Sequence, residues 1–206
     1  MLKIAVISSA EISSTIEIEI MKKLFEEGLN IFHLRRPTYD YGGMKDYLSR
    51  IPEEYHNRIV IHSHPRLALK FNLKGIHITS KIRKSKFKFW YVKRFVLARK
   101  KQLTVSTSLH HLSHLDSFDP VFNYVFLSPI FDSISKKDYQ SGFNEFTLRK
   151  GLERTKYTVY ALGGVELANI GKVKDYGFAG VALVGSIWTA AYPIQAFKEI
   201  KEECRP

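Results

Sequence analysis

The sequence predicts an α/β chain folded as a (β/α)8 TIM barrel, and three observations carry that prediction. Short runs rich in β-branched and aromatic residues alternate with helix-length amphipathic stretches from end to end, the pattern of parallel strands joined by helical crossovers. Similar helix-to-strand junctions recur over residues 25–32, 71–78 and 176–183, as a closed repetitive barrel requires. Eight such units in 206 residues favour closure over an open doubly wound sheet, which alternation alone would also permit.

The eight strands are expected at residues 2–8, 30–35, 58–63, 75–79, 103–108, 124–129, 158–163 and 180–185. After the first, Ile16, Ile20, Leu24 and Phe25 recur at three- and four-residue spacing, which predicts one apolar helix face ended by Gly28. The second strand reads Phe32-His33-Leu34-Arg35 and is broken by Pro37. Its period of two puts His33 and Arg35 on one side, and the planar fork of Arg35 suits a phosphate clamp as well as a surface ion pair.

The third strand ends in Ile61-His62-Ser63-His64-Pro65, where two imidazoles on one side could ligate a metal. No Asp or Glu occurs between Glu54 and Asp116, so further ligands are lacking nearby and no metal site is assigned. Beyond the fourth strand the chain is strongly basic. Residues 66–101 hold thirteen Lys or Arg and no acid, a field that concentrates anions or simply a solvated face. Tyr91, Phe95 and Ala98 fall on helical spacing and read as a packing face, which argues against a nucleic-acid surface built from Phe87, Phe89, Trp90 and Tyr91.

The fifth strand leads into His110, His111 and His114, and His110 at the expected helix start is the candidate general acid and base. The sixth is followed by a loop whose Ser133, Ser135 and Lys136 could close over a phosphate or diphosphate, with an ordinary solvated loop as the alternative. The seventh and eighth end in Gly163-Gly164 and Gly185-Ser186. Barrel enzymes often bind phosphate after these two strands, where glycines admit the ligand and a short helix offers its positive end.

Composition sets the outer bounds. An apolar share of 45% and a charged share of 25% are ordinary globular values, and the length suits one domain spanning 1–206. No apolar run reaches membrane-spanning length and no cleavable leader is evident, so a cytoplasmic location is expected, without membrane or nucleic-acid partners. The single Cys204 excludes an intrachain disulfide framework. The net charge of +12 points to anionic ligands.

In order and at barrel spacing, several stretches resemble the thiamine phosphate synthase and thiazole tautomerase superfamily. They are His33-Leu34-Arg35, Arg66-Leu67-Ala68-Leu69 with Gly75-Ile76-His77-Ile78, Ser108-Leu109-His110, the run from Tyr124 to Phe131, Ser133-Ile134-Ser135-Lys136, Leu162-Gly163-Gly164-Val165 and Gly180-Val181-Ala182-Leu183-Val184. The resemblance implies that Arg35, Ser133, Ser135, Lys136 and the Gly163-Gly164 turn help hold a thiazole phosphate and a pyrimidine diphosphate. A homodimer is possible.

The family's magnesium site does not carry over. Its Asn-Asp-Arg stretch reads His62-Ser63-His64 here, the acid after the fourth strand is replaced in the region of Thr79 to Ile82, and its lysine after Arg35 is Pro37. A tautomerase, which needs no metal and keeps a histidine like His110, is therefore the leading expectation. Condensation of the two phosphorylated substrates, with magnesium, is the alternative, and a non-catalytic binder of phosphorylated metabolites is the third. No cofactor is expected unless synthase activity is retained.

Overall fold

The computed structural model describes residues 1–9, 11–100, 102–132 and 143–206. Eight parallel strands in sequence order form a closed barrel. They are β1 (Lys3–Ile7), β2 (Ile31–Leu34), β3 (Ile59–Ile61), β4 (Gly75–Ile78), β5 (Thr104–Leu109), β6 (Tyr124–Leu127), β7 (Val159–Leu162) and β8 (Gly180–Leu183). Each predicted strand is found within two residues at either end. Every residue of β2, β3, β4, β6 and β8 is buried, as expected where a parallel sheet is covered on both faces. Among the described residues no helix is long and apolar enough to cross a membrane.

The chain divides into two compact units, Ile7–Thr107 and Met1–Val6 with Ser108–Pro206. The unit Ile7–Thr107 carries α1 (Ser14–Glu26), α2 (Tyr41–Ser49), α3 (Arg66–Lys70), α4 (Ser80–Arg83) and α5 (Lys86–Val92), which continues into a π-helical turn over Lys93–Leu97. Ser13 caps α1 by accepting from the Ile16 N–H, which offsets one of the unpaired donors of the first turn.

The face that α1 buries differs from the one its apolar spacing predicts. Ile18, Met21, Leu24 and Phe25 are buried with Glu17, whereas Ile16 is 56% exposed. Glu17 sets the rotation. Its carboxylate accepts from the Ser9 N–H at 2.6 Å, Tyr47 Oη at 2.5 Å and an Arg36 guanidinium nitrogen at 2.7 Å. A buried charge needs such partners, and meeting them turns Ile16 outward. Burial pushes the Glu17 carboxyl up from its ordinary range, against the three donors that hold it down.

A similar correction applies to the basic segment. Over Lys86–Leu97 the buried residues are Val92 and Val96, while Tyr91 and Phe95 lie half-buried and Ala98 is exposed. The two rings lie 5.0 Å apart under Arg66, Arg94 and Arg99, whose guanidinium carbons sit 5.2–5.9 Å from the ring centres. Stacked cations thus cover aromatic faces that would otherwise need the core.

The unit Met1–Val6 with Ser108–Pro206 carries α6 (Glu145–Arg154), α7 (Ile170–Tyr176), the one-turn α8 (Gly185–Trp188) and α9 (Pro193–Glu203). Strand β1 pairs with β8 from Lys3↔Gly180 to Val6↔Leu183, and β7 pairs with β6 and β8. The Leu2 N–H donates to the Cys204 carbonyl at 2.9 Å, which ties the last helix to the first strand. After β5 the helix expected at His110 is absent. A short 3-10 turn over Leu112–Leu115 takes its place.

Candidate active site

Within Ile7–Thr107 the ends of β2, β3 and β4 gather three imidazoles. His33 pairs with Val60, and Ile61 with Ile76. By the two-residue alternation of a strand, His62 therefore falls on the same face as His33 and level with His77. His33 Nδ1 lies 2.9 Å from His62 Nε2, and the His62 and His77 rings stack at 4.1 Å. His77 Nδ1 lies 2.9 Å from Ser106 Oγ.

Burial pushes all three imidazoles down from their ordinary range, His77 to about 3. Charge adds to this. His77 opposes His33 and His62, and the Arg35 guanidinium opposes both His62 and His77. All three rings are therefore neutral at neutral pH.

Arg35 follows β2 and is exposed. Its backbone is held by Ser8, whose Oγ accepts from the Arg35 N–H at 2.7 Å and donates to the Arg35 carbonyl at 2.9 Å. The electrostatic effect of Arg35 on His62 and His77 fits the expectation that it shares a side with His33. Its neighbour Arg36 is spent on Glu17. His62 and His64 part company, contrary to the reading of them as a pair. His64 takes a left-handed backbone with φ 50°, and its Nε2 lies 3.3 Å from the Tyr39 carbonyl.

The sequence alone assigns His33 and His77 no role. The signal was present as an inward-facing histidine on each of two strands flanking a third that ends in histidine, but only the register shows that they meet.

In the other unit, the ends of β6, β7 and β8 and the turn after β5 hold the remaining candidates. His110 is exposed, with Nδ1 3.0 Å from the Ser128 carbonyl. An Nδ1–H donated there fixes the ring and leaves the Nε2 lone pair outward. Gly163 and Gly164 have φ of 92° and 64°, a region that favours glycine. Their reason for being glycine is internal. A Cβ on Gly164 would overlap the Asp132 carbonyl and approach Phe131 Cβ at 2.7 Å, and one on Gly163 would meet Pro129 Cα at 2.9 Å. Residues 129–132, just after β6, pack directly on this turn, with Phe131 N–H donating to the Gly163 carbonyl at 3.1 Å.

Gly185 and Ser186 differ from that pair. Among the described residues, a Cβ on Gly185 would meet nothing within 4 Å outside its own turn. Ser186 Oγ, next in the chain, is buried and has no hydrogen-bond partner among the described residues. A buried hydroxyl left unpaired costs stability, and a ligand oxygen would relieve that cost. Ser133, Ser135 and Lys136 lie outside the described residues.

Comparison with known proteins places these features in context. The family described as thiamine monophosphate synthase matches residues 4–187. A thiamine-phosphate synthase of Latilactobacillus sakei is 25% identical over 195 residues, 89% of this chain and 83% of the relative. One from Prochlorococcus marinus is 28% identical over 154 residues, 74% of this chain, which spans 42% of that longer relative. Among solved structures, a thiamine phosphate pyrophosphorylase from Bacteroides thetaiotaomicron is 31% identical with a TM-score of 0.76, covering 98% of this chain and 97% of its own.

Proposed function

The chain belongs to the thiamine monophosphate synthase family, and on that premise we propose that it joins a pyrimidine diphosphate to a thiazole phosphate. In that reaction the thiazole ring nitrogen attacks the exocyclic methylene carbon of the pyrimidine. The C–O bond to the diphosphate breaks, and diphosphate leaves with the electron pair. The observation that supports the reading is the β8–α8 turn, where Ser186 Oγ is buried with no hydrogen-bond partner among the described residues and, next to it in the chain, a Cβ on Gly185 would meet none of their atoms within 4 Å outside its own turn. A phosphate oxygen there would satisfy the hydroxyl and meet the positive end of a short helix, as in many barrel enzymes.

Arg35 is the cation we assign to the diphosphate, since a guanidinium matches phosphate oxygens two at a time. The Gly163-Gly164 turn serves this site by seating residues 129–132 rather than by admitting the ligand itself. Ser133, Ser135 and Lys136 remain diphosphate contacts only by family resemblance.

Magnesium does not fit the donor set. Among the described residues, the metal-capable cluster of three or more side chains is made of imidazoles, and magnesium prefers carboxylate and phosphate oxygens. The cationic side chains offset the leaving group's charge.

One observation favours tautomerisation as a second reading. His110 is exposed and its ring is held by Ser128, which suits proton transfer on a carboxylated thiazole phosphate. The named relatives favour condensation.

Purified protein incubated with both substrates, with and without magnesium, decides between them. Condensation predicts equimolar thiamine phosphate and diphosphate. In a parallel arm the thiazole carboxylate tautomer is followed by NMR. Aromatisation abolished by His110→Ala, without condensation, would replace the first reading with the second, and turnover in neither arm would reject both.

A further inference from the structure

We propose that His33, His62 and His77 form a site for one divalent cation of the zinc, cobalt and nickel class, with a remaining coordination position for a small oxygen ligand. The inference concerns binding alone and does not depend on which reaction the protein performs.

Geometry comes first. One nitrogen from each ring lies within 4.8 Å of the other two, and His33 Nδ1 and His62 Nε2 are already 2.9 Å apart. Tetrahedral zinc with bonds of about 2.0–2.1 Å needs ligand nitrogens about 3.4 Å apart. The cluster reaches that spacing by drawing one ring inward while the other two part slightly. With no cation bound, one N–H lies between His33 Nδ1 and His62 Nε2, and for both atoms to ligate, the ring that carries it must hold its proton on the other nitrogen instead, with no net proton released.

The donor chemistry selects the metal. Three neutral imidazoles suit borderline first-row cations and are poor ligands for magnesium or calcium. Burial keeps the rings neutral, the state that ligates. When His77 Nδ1–H donates to Ser106 Oγ, its lone pair stays on Nε2, the orienting contact that metal-bound histidines commonly have. His33 and His77 are buried and His62 is half-buried, so His62 marks the side from which a cation enters.

Arg35 bears on His62 and His77, and Arg83 on His77. Both oppose a dication. Two consequences follow: the open position favours an anionic ligand, and removing Arg35 tightens metal binding.

The test uses the full chain stripped by chelator and titrated with Co2+, followed by Zn2+ competition and elemental analysis. One equivalent of Co2+ per chain with the intense visible absorption of four-coordinate cobalt is expected. Loss of an outer contact typically weakens metal affinity about 10–100-fold, so Ser106→Ala should fall in that range and His33→Gln and His62→Gln at or beyond it. The half-buried His62 carries the least folding risk, and unchanged melting of His62→Gln guards against misfolding. Arg35→Gln should bind more tightly, and a His111→Gln, His114→Gln double variant should bind as the parent does.

Absence of stoichiometric binding, a weak octahedral spectrum, or binding retained in His62→Gln overturns the proposal. Binding lost in the His111, His114 variant assigns the cation to those exposed rings and overturns it equally. None of these results bears on the condensation assay, which is read by its products.

Discussion

Cys204 is 1% exposed at the end of α9, with its carbonyl accepting from Leu2. Burial pushes its thiol up to about 11 from an ordinary value of 9. The unfolded chain therefore releases this proton from about pH 9 while the native chain keeps it, so fewer protons are bound on unfolding and stability falls as pH rises. Across the window from 9 to about 11 the expected loss approaches about 3 kcal/mol. Denaturant melts of the parent and Cys204→Ala at pH 8.5, 9.5 and 10.5 check this. The gap between the two should shift steadily against the parent with pH, and a constant gap would refute the assignment.

Other residues show how far single positions were legible. Arg35 is singled out by sequence because its planar fork suits phosphate oxygens as well as a surface ion pair, and the structure leaves it exposed after β2. The cluster of His33, His62 and His77 was not, because adjacency in the chain favours His62 with His64, whereas their contacts are set by strand register and by the left-handed turn at His64. Ser186 was proposed from position alone, and its buried, unpaired hydroxyl is information that only packing supplies.

Among the elements, strands were legible and helix faces were not. Runs such as Ile59–Ile61 and Tyr124–Leu127 are continuous apolar segments with one sensible placement. Helix α1 instead obeys Glu17, whose three partners come from Ser9, Arg36 and Tyr47. Apolar periodicity does not register a buried carboxylate that must face inward, so the predicted face is turned by the cost of leaving that charge unpaired.

Gly75, the first residue of β4, carries the clearest prediction at this scale. A Cβ there would overlap the Thr104 carbonyl oxygen and reach its carbon at 2.8 Å, both backbone atoms of β5. Gly75→Ala must therefore separate two paired strands, and overpacking of this kind costs about 1–3 kcal/mol or more. A fall in Tm of several degrees is expected, and an unchanged Tm would mean that β4 and β5 are not paired in the register Gly75↔Thr104.

For the whole molecule, the barrel was legible because eight short units in one chain leave little room for an open sheet, and the net charge of +12 already pointed to anionic ligands. The order of functions was less so. A sequence without the family's acidic residues suggests a reaction that dispenses with metal, while the named relatives are synthases. Retention of the scaffold does not report which step a site performs.

The central claim is that the turn from β8 into α8 holds the phosphate of the substrate. Calorimetric titration of thiazole phosphate into the parent, Ser186→Ala and Gly185→Val tests it most directly. Among the described residues a Cβ at Gly185 meets nothing within 4 Å outside its own turn, and Ser186→Ala removes a buried hydroxyl that has no partner there, so neither change is expected to lower Tm. The account predicts one equivalent bound by the parent, affinity reduced about tenfold in Ser186→Ala, and binding lost in Gly185→Val. Equal affinity in all three proteins, or no binding by the parent, would contradict it.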